Sequence, residues 1–92
     1  MCFPINRAAH LSKSLHDPEY KRLIIRLREA RNDADMKQQE LADMLDCPQS
    51  FVAKYEGLER RLDVVEFVKI AELLKADPLK IIEEEISKKY KR

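Results

Sequence analysis

The sequence predicts an all-α fold, a compact bundle of five short helices, and three observations predict it. The alphabet is helical: one Gly, no Trp, and abundant Leu, Glu, Lys, Arg, Ala and Ile among 92 residues. Apolar residues recur at intervals of three and four in each of five segments. Asp17-Pro18, Asp63 and Asp77-Pro78 mark helix starts, since Asp caps an N-terminus and Pro is preorganised for the first helical position.

Residues 1–17 read as a loose N-terminal arm. Asp17-Pro18 then opens a first helix with Tyr20, Leu23, Ile24, Leu27 and Ala30 at helical spacing and Arg22, Arg26 and Glu29 on the other face. It stops in the polar run Asn32-Asp33-Ala34-Asp35. The second helix, QQELADML, turns Leu41, Ala42 and Leu45 inward and ends at Asp46-Cys47. The third, PQSFVAKYE, starts with Pro48 at its first position and buries Val52 and Tyr55, with Phe51 beside Tyr55. Gln49, Ser50, Ala53 and Lys54 share the opposite face. Asp63 caps the fourth helix, DVVEFVKIAELLK. In the fifth, Leu79, Ile82, Ile86 and Tyr90 form a stripe near a 3.5-residue period, which Ile81 widens. Residues 18–86 form the domain, and 87–92 its basic C-terminal helix end.

Net charge is +1, so only its distribution informs. Residues 62–86 hold three basic and seven acidic groups, whereas the SKKYKR tail is basic. The acidic load therefore lies away from the third helix, which weakly favours a polyanionic partner. No apolar run reaches the roughly 20 residues of a membrane span, and the first residues lack an apolar signal core. A cytoplasmic location is expected. Cys2, His10 and His16 suit neither a zinc knuckle nor an i, i+4 ligand pair, so neither metal nor cofactor is expected. Cys47 has two readings, a redox sensor and a small residue before Pro48 at a helix start.

Helices two and three are short and joined by a turn of about three residues, the helix-turn-helix arrangement, whose second helix enters the DNA major groove. Gln49 suits adenine, Ser50 donates or accepts, and Lys54 reaches guanine or a phosphate. These three are the expected base readers. Gln38, at the start of the second helix, and Arg60 and Arg61, beyond the third, are the expected phosphate binders. Phe51 is read as core, with a thymine-methyl contact as the alternative. Arg7 and Lys13 offer a minor-groove arm as the alternative to an unattached one.

From about Tyr20 to Ile86 the chain resembles the Cro/phage-repressor (XRE-type) helix-turn-helix regulators. QQELADML, PQSFVAKYE, RRLDVVEF and IAELLKADP fall in that family's order and spacing. The resemblance implies a five-helix, lambda-repressor-like DNA-binding domain, a double-stranded DNA operator, a homodimer, and control of transcription. Gln38 matches the family's phosphate-binding Gln, and Gln49, Ser50 and Lys54 match base-facing positions. Four places where family members usually carry Gly hold Asp35, Asp46, Leu58 and Lys75. Asp tolerates a left-handed backbone, while Leu and Lys lose about 1 kcal/mol in it. Gly57 stands one residue early, so the recognition helix is expected to end sooner. Lys37 stands where a capping Thr is usual and cannot cap.

A sequence-specific repressor on a two-fold operator is the expected function, with the dimer seam on Leu79, Ile82, Ile86 and Tyr90. In the alternative seating, Leu79 and Ile82 close the monomer core. The alternative function is an antitoxin-like or adaptor subunit on the same fold, which co-purification with a partner would reveal. An enzyme is not expected, because no nucleophile has a base nearby in the motif and one Gly makes no phosphate loop. Control by concentration, proteolysis or a partner is expected rather than by a bound metabolite.

Overall fold

The computed structural model describes residues 17–89, with backbone alone for Ile86, Lys88 and Lys89. The arm readings on Cys2, Arg7, His10, Lys13 and His16, and those on Tyr90 and the end of the basic tail, lie outside the described residues. Asp17 accepts the Glu19 amide at 2.8 Å, Pro18 takes the first turn, and α1 runs Pro18–Asp33. The other helices are α2 Gln38–Leu45, α3 Gln49–Glu56, α4 Val64–Leu73 and α5 Pro78–Lys89. No strand occurs among the described residues.

Local chemistry explains the starts. Asp63 Oδ1 accepts the Glu66 amide at 2.7 Å, and Glu66 Oε1 accepts the Asp63 amide at 2.9 Å, a reciprocal capping box for α4. Asp77 Oδ1 accepts the amides of Leu79 and Lys80. Lys37 supplies no side-chain cap to α2, as expected, but Glu40 reaches back to accept its amide at 2.7 Å. Pro48 is the cap residue of α3, with extended backbone, and not its first helical residue.

Four helices end in the same corner. Asp35, Asp46, Leu58 and Lys75 carry φ of 55°, 58°, 62° and 60°. After each, the next amide bonds five residues back: Met36 to Arg31, Cys47 to Ala42, Glu59 to Lys54 and Ala76 to Ala71. Gly57 does not displace its corner. Its φ is −84°, and the left-handed residue remains Leu58. Leu58 also packs on the core, so Leu58→Gly would lose burial along with strain and is not the stabilising change that strain alone implies. Lys75 is exposed. Lys75→Gly is therefore expected to stabilise the domain by about 1 kcal/mol, a rise of roughly 4–8 °C in thermal midpoint.

α1 packs on α3, α4 and α5, and α2 packs on α3. Leu27, Leu41, Ala42, Val52, Tyr55, Ile70 and Ala71 are fully buried between them. On α5 the core residue is Ile81, 4% exposed, while Leu79 is 77% exposed and Ile82 is half-buried. Leu79 thus does not close the monomer core. The polar face of α1 is not all solvent-facing. Arg22 pairs with the buried Glu85 at 2.6 Å, and Arg26 with Glu84 at 2.7 Å, clasping α5.

The Tyr55 hydroxyl is buried with no hydrogen-bond partner among the described residues, and burial raises its pKa well above the ordinary phenol value. Tyr55→Phe removes that unsatisfied group and is expected to stabilise by about 1 kcal/mol. With the folded-state pKa raised, the contribution of the neutral Tyr55 phenol is fully present below pH 10 and is lost as pH climbs further. Alkaline denaturation of Tyr55→Phe should accordingly be shallower.

Candidate nucleic-acid interface

α2 and α3 meet through the Asp46 corner, which makes a sharp turn without glycine. Phe51, Val52 and Tyr55 are the buried side of α3, and the Phe51 and Tyr55 rings meet edge-on, centroids 5.7 Å apart. Burying that side leaves Gln49 and Ser50 exposed at the front of the helix and Lys54 exposed in its last turn. Phe51 therefore belongs to the core.

A polar chain joins this surface to the interior. Arg31 donates from Nε to Glu56 Oε2 at 2.7 Å and from its terminal nitrogen to Oε1 at 3.0 Å, a bidentate pair with side chains 10% and 4% exposed. Its other terminal nitrogen donates to the Met36 carbonyl at 2.7 Å, and the bonds to Glu56 push its pKa further above the ordinary value. Gln38 Nε2 donates to the same Glu56 Oε1 at 3.0 Å. Gln49 Nε2 in turn donates to Gln38 Oε1 at 2.7 Å. The expected phosphate binder and the first expected base reader are thus neighbours.

The two arginines behind α3 part company. Arg60 grips Glu66 with both terminal nitrogens, at 3.1 and 2.9 Å, and lies 4.7 Å over the Phe51 ring. Its guanidinium, expected on phosphate, is committed to joining α3 to α4. Arg61 is exposed, beside the Leu62 amide that donates to the Tyr20 hydroxyl at 2.9 Å.

Arg31, Glu56 and Glu66 are the participants that sequence reasoning missed. A signal existed. Arg31 falls on the Ile24–Leu27 stripe, and Glu56 stands four residues after Val52, so both charges interrupt apolar faces.

Cys47 is buried at this corner, its Sγ 3.5 Å from the Leu45 carbonyl oxygen. Among the described residues, no group of three or more His, Cys, Asp or Glu is placed to hold a metal. Nor is any helix there long and apolar enough to cross a membrane.

Two short helices at a tight corner, with an exposed polar edge at the front of the second, define a helix-turn-helix DNA-binding domain. A family model described as Helix-turn-helix matches residues 27–81. A solved structure, the XRE-family like protein from Pseudomonas syringae pv. tomato str. DC3000, is similar at 40% identity. The match covers 85% of this chain and 95% of that one, with a TM-score of 0.75. A search of curated proteins finds no match. The chain belongs to the XRE-type helix-turn-helix family of DNA-binding regulators.

Proposed function

We propose that the chain is a transcriptional repressor that binds a two-fold DNA operator as a homodimer. The observation that carries this reading is the exposed set Gln49 and Ser50 at the front of α3 and Lys54 one turn later, with the helix anchored by Phe51, Val52 and Tyr55. Gln49 and Ser50 read base edges, and Lys54 reaches guanine or a flanking phosphate. Gln38 and the first amides of α2 receive one phosphate, and Arg61 another. Arg60 acts behind them, fixing the loop that carries Arg61. In this reading residues 18–86 are the DNA-binding domain, residues 1–17 precede it as an arm, and 87–92 add a basic end.

The test is selection of bound fragments from random double-stranded DNA, followed by binding of single variants. Gln49→Ala is expected to weaken the selected site by about 1–3 kcal/mol and relax one or two base pairs. Arg61→Ala should weaken all sequences alike and reduce the salt slope by about one unit. An unchanged consensus at full affinity in Gln49→Ala would remove α3 from the reading role.

A further inference from the structure

We infer that a groove beside the start of α1 seats the chain's own N-terminal segment Leu11-Ser12-Lys13-Ser14-Leu15. The groove lies where α1, the first turn of α4 and α5 meet, and has a volume of about 190 Å³. Tyr20, Leu23, Val64, Phe67 and Ile82 make its lining largely apolar, while Arg61 and Asp63 add one charge of each sign. One water takes up roughly 30 Å³ of liquid, so the space suits side chains rather than a single solvent molecule. Its walls do not close by themselves. The Tyr20 hydroxyl accepts the Leu62 amide at 2.9 Å, which holds the ring against the loop, and Val64 is 75% exposed. Covering this apolar surface is favourable for any side chain that reaches it.

Three observations favour this segment over another occupant. The first is reach. α1 stops at its cap Asp17, whose backbone is extended at φ −63° and ψ 127°, so the chain before it need not prolong the helix axis. Leu15 precedes Asp17 by two residues and is thus attached within about 7 Å of it. A tether that short gives an effective concentration on the order of millimolar, which favours the chain's own segment over a free partner. The second is pattern. Leu11 and Leu15 stand four apart, the spacing of one helical face. The usual apolar pair at a helix entry is missing, because His16 precedes the cap and Lys21 is the fourth helical residue. Leu15 set against Tyr20 and Leu23 supplies that clasp. The third is charge. Residues 1–16 contain Arg7 and Lys13 but no Asp or Glu, whereas residues 62–86, spanning α4 and most of α5, hold three basic and seven acidic groups. A second copy paired through the exposed Leu79 would leave the groove open, because Leu79 does not line it. Ile82 does, so the chain's own arm covers one residue expected at the dimer seam.

Solution NMR of the full chain tests the seat directly. Methyl protons of Leu11 and Leu15 are expected to show through-space contacts to the rings of Tyr20 and Phe67. Trypsin supplies a second readout, since it cuts after Lys13 only when the segment is released. Leu11→Ser with Leu15→Ser removes the arm's apolar contacts, and Val64→Gln, at an exposed position, weakens the groove from the other side. Cleavage after Lys13 should be several-fold faster in both than in the wild type, with thermal midpoints recorded to confirm folding. Wild-type methyls without contacts to either ring, or cleavage equally fast in all three folded proteins, overturns the inference. Contacts that appear only between differently labelled chains also overturn it, and give the groove to a second copy. The wild-type contacts decide the matter even if a variant fails to fold.

Discussion

Replacing Arg31 by methionine is expected to remove about 3–5 kcal/mol of folding stability, the cost of stranding one member of a buried ion pair. Among the described residues the Glu56 carboxylate would keep only Gln38 as a partner, in a setting where its side chain is 4% exposed. The Met36 carbonyl would also lose the Arg31 donor that ties the first corner to α1. Small domains have stabilities of about 5–15 kcal/mol, so the variant should sit close to unfolding at ambient temperature. The double replacement Arg31→Met with Glu56→Leu removes both charges and should recover much of the loss. Urea denaturation of the two singles and the double closes the cycle. A loss below about 1 kcal/mol in Arg31→Met would mean that solvent reaches the pair more freely than its enclosure implies.

Replacing Leu79, Ile86 and Tyr90 together by glutamate is expected to produce a folded monomer whose operator affinity falls by roughly 10²–10⁴-fold, the advantage of bivalent engagement. Leu79 is exposed along its length, and Val64 at the start of α4 is 75% exposed, so the domain carries apolar surface that its own core does not use. Ile81 closes the core from the other side of α5, which frees the Leu79 side for pairing. Two-fold pairing would place the recognition helices about 34 Å apart, one turn of DNA. Sedimentation reads the assembly and fluorescence anisotropy the affinity. A triple variant that sediments as a dimer would move the seam away from α5.

The helix boundaries were legible because their causes are local. Asp17, Asp63 and Asp77 cap amides two or three residues ahead, and such short-range chemistry is written in consecutive letters. The left-handed corners were legible from the resemblance, since all four non-glycine residues at the usual glycine places take that conformation. The exposed and buried sides of α3 followed from spacing alone. The long-range polar pairs did not. Arg31 reaches Glu56 across 25 residues, and Arg22 reaches Glu85 across 63. A charged residue read singly defaults to solvent, and only the folded chain shows which carboxylate waits opposite. Arg60 shows the same limit over a shorter span. Its neighbourhood suggested phosphate, yet Glu66 six residues later takes both terminal nitrogens. On α5 the miss was one of phase: Ile81, read as only widening the stripe, is the core residue, and the adjacent Ile82 is half-buried.

The left-handed corners also bear on how many copies of the regulator a cell holds. Strain of about 1 kcal/mol at Leu58 and a similar amount at Lys75 would together enlarge the unfolded population by roughly 5–30-fold. Degradation machinery samples that population, so steady-state abundance responds several-fold to changes of this size. Operator occupancy depends on abundance as directly as on affinity. A backbone angle at Lys75, in the corner between α4 and α5, would in that way act on the dosage of the protein without altering a single contact of α3.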